Sequence, residues 1–276
     1  MPLTVKDDLG RTVTLTAGPA RRIVSLSPAV TENLFALGAG GAVVGVSAAD
    51  DYAADGSRRL TRVGDYGKPS YERILALRPD LVIAESATIT AAEVATLDRR
   101  LKAPVFAQKS LRYADVVAHL HQLGVLTGRQ STAKKAEAAM RVLEAQAEKL
   151  TRGKKPVTVF VEVSPSPLYG AGPGSFVDDL IRRAGGVNVL KGNNPFPVVS
   201  KEYLLAAQPA HYVIATASDM GRADGAGAAK LTPPLDRLRA AREGRVHRIP
   251  ADLLFRPTPR IARGLLVLAR ALHGGA

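Results

Sequence analysis

Leu3 and Val5 alternate with polar residues, Asp8-Leu9-Gly10 supplies a turn, and Val13 and Leu15 alternate again on the return, which predicts an N-terminal β-hairpin. The pattern then changes to short apolar runs separated by helical periodicity. Ile23–Leu26 reads as a buried strand, Ser27-Pro28 as a cap with a first-turn proline, and Thr31–Leu37 as a helix stopped at Gly38. Strands at Ala42–Val46, Leu81–Ala84 and Val105–Ala107 alternate with helices at Tyr71–Leu77 and Ala91–Arg100. Ala136, Met140, Leu143, Ala147 and Leu150 then recur at helical spacing, predicting one long helix from about Ser131 to Leu150, ended by Gly153 and Pro156. Alternation resumes with a strand at Val157–Val163, helices at Phe176–Arg183 and Leu204–Ala207, and a strand at Tyr212–Ala215. The segments Leu235–Ala241, Val246–Ile249 and Ile261–Leu272 complete the set.

The second half partly repeats the first. Ser70-Tyr71-Glu72-Arg73-Ile74-Leu75 with the strand Leu81–Ala84 is echoed by Ser200-Lys201-Glu202-Tyr203-Leu204-Leu205 with Tyr212–Ala215. Each copy reads as a Ser N-cap, a first-turn Glu, a short apolar helix, a proline stop and a buried strand. A repeat this long indicates two related lobes, not a solenoid. The expected class is therefore α/β: two α/β lobes with central, mostly parallel sheets bridged by one long α-helix. The expected boundaries are 1–130 for the first lobe, 131–152 for the helix and 153–276 for the second. Two such lobes would leave a cleft, where ligands commonly bind.

Composition narrows the chemistry. The chain has 276 residues and no Cys, which removes thiol nucleophiles, Cys-ligated zinc, iron–sulfur clusters and disulfides. No apolar run reaches the ~18 residues of a spanning helix. Met1-Pro2-Leu3 runs directly into polar sequence, as expected of a cytosolic chain or of a mature exported one. The net charge is +13, but Lys and Arg are dispersed, with no aromatic-interleaved stripe and no nucleic-acid-binding spacing, so nucleic acid is not an expected partner.

Catalytic motifs are scarce. There is no G-x-S-x-G elbow, and His119 and His121 stand two apart on a predicted helix, facing different directions. His211 and His247 fall beside or within predicted strands and read as structural, so neither a metal site nor an enzyme is expected. Gly170–Ser175 lacks the G-x-G-x-x-G spacing and reads as a tight loop ending in a Ser175 N-cap. For Glu72 and Glu202 two readings stay open: a carboxylate answering the helix dipole, or a symmetric acidic pair with a binding role.

At the level of whole motifs the chain resembles a known family. Arg22–Pro28 with Thr31-Glu32, Val44–Ser47, Glu72–Ile83, Phe176–Gly186 with Asn188, and Arg256-Pro257-Thr258-Pro259-Arg260-Ile261 resemble the substrate-binding proteins of ABC importers for vitamin B12, haem and ferric siderophores. The resemblance runs over nearly the whole chain from about residue 20, in the family's order. It implies the class III substrate-binding fold of two lobes and one long helix. It also implies a periplasmic or cell-surface monomer that hands a small ligand to a transmembrane permease with its ATPase. By the same resemblance, Glu72 and Glu202 match the glutamates that dock on the permease. Asp252 and Arg256 match polar contacts of the B12-binding members, Tyr66 stands in place of a ring-packing aromatic, and Tyr169 lies near another. Tyr52, Phe196 and Phe255 complete the expected ligand-binding set. Ala49 and Glu85 depart from the pattern, standing where those members carry aromatics. No cofactor is implied. The expected ligand is cobalamin or a related corrinoid; the alternatives are a ferric siderophore, or haem with a Tyr66 phenolate on ferric iron and Arg256 or Arg260 on propionates.

Overall fold

Alternating hydrophobicity near the N-terminus becomes a hairpin in the structure, a computed structural model that describes residues 1–51, 59–65, 67–85, 90–216, 227–228 and 230–274. Strands β1 (Leu3–Lys6) and β2 (Thr12–Leu15) pair antiparallel, with Val13 and Leu15 buried and their polar neighbours exposed. The following elements are β3 (Ile23–Ser25), α1 (Pro28–Ala36), β4 (Val43–Val46), β5 (Thr61–Arg62), β6 (Gly64–Asp65), β7 (Lys68–Pro69), α2 (Tyr71–Ala76), β8 (Leu81–Glu85), α3 (Ala91–Leu101), β9 (Val105–Gln108) and α4 (Tyr113–Thr127). Ser70 caps α2, and Thr90 and Glu93 form a reciprocal capping box on α3, so short apolar segments begin as helices where the sequence supplies an oxygen for the free N–H groups.

The long helix α5 runs from Gln130 to Thr151. After it come β10 (Val157–Pro165), β11 (Leu168–Gly170), α6 (Phe176–Arg183), β12 (Gly186–Asn188), α7 (Lys201–Ala207), β13 (His211–Thr216), β14 (Gly227–Ala228), α8 (Arg239–Arg242), β15 (Val246–Pro250), α9 (Ala251–Phe255) and α10 (Ile261–His273). Helix α7 starts three residues before the apolar pattern does, because Ser200 accepts from the Tyr203 N–H and draws Lys201 and Glu202 into its first turn. Leu235–Ala241 splits into a 3₁₀ turn at Leu235–Arg237 and α8.

The chain divides into two compact units. One comprises Met1–Ser110 with Ala114–Ala138, the other Leu111–Tyr113 with Ala139–Ala276, so the division falls within α5. In the first unit the parallel sheet has the order β5-β4-β3-β8-β9. Its core packs Val24, Val82, Ala84, Val105 and Ala107 against Ile74, Val94, Leu97 and Leu101 of α2 and α3. In the second unit β10, β13 and β15 are parallel neighbours, β12 and β11 share the outer edge of β10, and Phe160, Tyr212, Leu204 and Val246 are buried together. Within each sheet the strand order reverses beside the first parallel strand, between β3 and β8 and between β10 and β13. Open parallel sheets bind ligands outside the carboxyl ends of the strands at such points. No helix among the described residues is long and apolar enough to cross a membrane.

Candidate functional site

Residues 195–199 carry two prolines and no strand pattern, yet they run as an extra antiparallel edge along β11 at the carboxyl end of β10. Val199 N–H donates to Leu168 O (2.8 Å), Gly170 N–H to Pro197 O (3.1 Å) and Gly172 N–H to Pro195 O (2.9 Å), with Tyr169 directly opposite Val198. The prolines sit where their carbonyls accept and no N–H is needed. A Cβ on Gly172 would lie 2.4 Å from Asn194 O, so only glycine lets the two backbones approach. Side chains two apart on such a ribbon share a face. Tyr169, Val198 and Phe196 therefore share one, with Val198 64% and Phe196 44% exposed while Val199 is buried on the other. Sequence reasoning named Tyr169 and Phe196 and missed Val198, the most exposed of the three.

At the carboxyl end of β15, Pro250 breaks the strand and α9 begins at once. Asp252 is 9% exposed in its first turn and accepts from Arg256 Nη2 at 3.2 Å and from Arg260 Nη2 at 3.5 Å. Four-residue spacing on one helical turn brings Asp252 and Arg256 together, and the chain after Pro257 returns Arg260 to the same carboxylate. Phe255 is half-buried on α9. Helix α9 is held by α10: a Cβ on Gly264 would fall 1.7 Å from Leu253 O, so the two backbones are in direct contact. Carboxyl ends of β10 and β15 flank that of β13, about 10 Å apart at normal strand spacing.

In the first unit the strand ends are polar. The Ser25 hydroxyl donates to Ser27 O (3.0 Å) and accepts from Thr31 (2.8 Å) at the end of β3; Arg62 donates to Ser47 O (3.1 Å) beyond β4. Glu85 ends β8 and Gln108 ends β9, directly paired and both buried. Burial pushes the Glu85 carboxyl above the ordinary range, only partly offset by His119 and Ser110. Tyr52 and Tyr66 lie outside the described residues.

Glu72 and Glu202 occupy equivalent places, second in the first turns of α2 and α7, each exposed behind a capping serine. Their surroundings differ. Arg73 follows Glu72, and Arg100 stacks on Tyr71 at 5.0 Å; beside Glu202, Tyr203 is 39% exposed and its hydroxyl donates to Val189 O. His211 and His247 stack with their rings 5.4 Å apart at the opposite, amino ends of β13 and β15.

Two α/β units, each built on parallel strands, are the frame of a periplasmic binding protein, and the chain belongs to the periplasmic binding protein family, whose model matches residues 23–253. It is 32% identical to a vitamin B12-binding protein of Vibrio campbellii over 194 residues, 70% of either chain. Among solved structures, the periplasmic vitamin B12-binding protein BtuF of Vibrio cholerae matches with a TM-score of 0.78 and 27% identity, over 92% of this chain and 97% of that one. A periplasmic haem-binding protein from Pseudomonas aeruginosa matches with a TM-score of 0.75 and 25% identity, over 93% and 94%. These relatives are binding proteins, not enzymes, and the family is extracytoplasmic.

Proposed function

We propose that the chain captures a corrinoid of the vitamin B12 type and delivers it to the permease of an ABC importer. The observation that carries this reading is the pairing, in one unit, of an apolar face with a fixed charged cluster. Half-buried Tyr169 with exposed Val198 and Phe196 offers an apolar surface, and Asp252, Arg256 and Arg260 stand at the end of β15. A corrinoid is a broad apolar disc fringed by amides: its face packs on aromatic and aliphatic groups, and its rim takes hydrogen bonds from oriented polar groups. Asp252 holds both guanidinium groups and can accept an amide N–H, while the arginines donate to amide oxygens. Similarity to B12-binding proteins points the same way. Tyr52, Tyr66 and Phe255 are the further proposed contacts.

The rival cargo is haem, favoured by likeness to a haem-binding protein. It requires a phenolate–iron bond, so haemin would give a charge-transfer band that vanishes in Tyr66→Phe. On the corrinoid reading Tyr66→Phe binds cobalamin almost normally and Tyr66→Ala costs about 1–3 kcal/mol, because only the ring is used.

Glu72 and Glu202, exposed at matching helix starts, are the proposed permease contacts, and the chain works as a monomer. Charge pairs at an interface rim steer and orient docking more than they deepen it. Glu72→Arg and Glu202→Arg should cut uptake in reconstituted vesicles while leaving cobalamin affinity within about twofold. Loss of cobalamin affinity in proportion to uptake would remove the docking role.

A further inference from the structure

Among the described residues, β9 is the outer strand of the first unit's sheet, with β8 on one side and no strand on the other. The opposite edge strand, β5, has two residues, whereas β9 has four, all buried. An edge of that length turns the N–H and C=O groups of alternate residues outward and is a template for a further strand. Here those groups are already taken. The Val105 N–H donates to Asp98 Oδ1 (3.2 Å), and Val105 O accepts from Arg11 Nη2 (2.7 Å). The Ala107 N–H donates to Asp7 Oδ2 (3.4 Å), and Ala107 O accepts from the Asp8 N–H (3.0 Å). The Lys109 N–H donates to Asp8 Oδ2 (2.6 Å). Of these five partners, four are side chains and one is backbone.

The turn between β1 and β2 is shaped for this task. Asp7 Oδ1 accepts from the Leu9 N–H (3.1 Å) and the Arg11 N–H (2.8 Å), which closes the turn, and Gly10 supplies the left-handed φ of +77° it needs. Asp7 Oδ2 faces the edge, accepting from Arg11 Nε (2.9 Å) and Nη2 (2.6 Å) as well as from Ala107. The Asp7 side chain is fully buried, a place a carboxylate holds only when paired and bonded this completely. Asp8 is fixed in turn by His119 of α4, whose Nε2 lies 2.5 Å from Asp8 Oδ2 and whose Nδ1 lies 3.2 Å from Ser110 Oγ. The hairpin nevertheless forms its own two-stranded sheet and does not join the five-stranded one. A sixth strand would only move the open edge outward. Carboxylates and a guanidinium end the sheet, because they satisfy β9 and offer no ladder of their own.

We propose that the Asp7–Arg11 turn is a guard against self-association: it ends the sheet at β9 and so prevents a second copy of this chain from pairing its own β9 antiparallel to this one. The partner is a second copy because an antiparallel β9–β9 pair closes on a two-fold axis, each edge supplying the donors and acceptors the other needs. The guard gives a physical cause to the monomeric state proposed above and is independent of the cargo.

The test opens the edge without removing the hairpin. In the double variant Asp7→Asn/Asp8→Ala, the asparagine leaves one acceptor oxygen where turn and edge need two, and the alanine frees the Lys109 N–H. Amide hydrogen exchange of Ala107 and Lys109 should be slow in wild type and about tenfold or more faster in the folded variant. Sedimentation velocity from about 1 μM to 1 mM should show wild type as a monomer throughout and the variant as a concentration-dependent dimer. Adding Ala107→Pro removes an outward N–H and should return the variant to the monomer. If the double variant does not fold, Arg11→Gln, which disturbs the cap at Val105 O and Asp7, is measured in its place, with weaker dimerisation expected. A folded variant that exchanges fast yet stays monomeric at the highest concentration overturns the guard, as do Ala107 and Lys109 amides that exchange as in wild type. A wild-type dimer overturns the guard and the monomeric state together and leaves the corrinoid reading untouched.

Discussion

The carboxyl ends of the two parallel sheets are furnished differently. In the first unit the ends of β3, β4, β8 and β9 carry hydroxyls, a carboxyl and an amide, mostly buried, with Ser25 bonded to Thr31 and Glu85 to the Ser110 N–H. In the second, the end of β10 carries an exposed apolar ribbon and that of β15 a carboxylate gripped by two arginines. Both units repeat one capped-helix and strand motif, so the frame is common and the difference lies in what the strand ends hold. A repeated frame can thus be furnished in two ways: one set of strand ends carries exposed apolar side chains and a fixed ion cluster, the other buried polar groups.

The largest expected effect comes from removing the second unit's charged end without touching it. Gly264→Ala puts a methyl group into Leu253 O, so α9 must move and carry Asp252 and Arg256 with it. A stability loss of about 3 kcal/mol or more in urea unfolding, together with lost cobalamin binding, is expected. Asp252→Ala is more local. It leaves the largely buried Arg256 and the more exposed Arg260 facing each other without their shared anion, at a cost of about 2 kcal/mol after allowing for solvent around Arg260. Asp252→Asn should recover part of that, because an amide oxygen still accepts.

Acid should separate the units by the sign of its effect. His211 is pushed down to about 4 by burial, with His247 and Arg245 adding to this, and burial lowers His247 as well. A depressed folded-state pKa means that the unfolded chain takes up the proton first. The stability His211 contributes is therefore complete above the unfolded value of 6.5 and is lost as pH falls toward about 4. Between about pH 7 and pH 5 the loss should be about 1–2 kcal/mol, and His211→Gln should flatten it. Glu85 has the opposite sign: its raised pKa is least costly at low pH and destabilises as pH rises. Glu85→Gln should remove that alkaline loss alone, which pH-dependent urea unfolding would detect.

Much of the frame is legible in the sequence because its cues are local. Ser70, Ser175 and Ser200 cap helices, and the spacing of Ala136, Met140, Leu143, Ala147 and Leu150 marks α5. The features missed depend on partners far along the chain. Residues 195–199 become an edge only because β11 is beside them, and their prolines argue against a strand until the carbonyl side of the ladder is seen. Glu85 looks like the polar end of a strand; that it is buried follows from His119, Ser110 and Asp8, up to 77 residues away by the difference of their numbers. Val198 shows no signal at all, since its exposure is set by the register opposite Tyr169.

Isothermal titration of the purified protein with cyanocobalamin, run beside Val198→Lys and with haemin as the competing cargo, decides whether the cargo is a corrinoid. One cobalamin per chain is expected, with an affinity about tenfold or more weaker in Val198→Lys because a charge replaces the exposed apolar face, and no displacement by haemin. Saturable haemin binding with a Tyr66-dependent spectrum and no heat from cobalamin would contradict it.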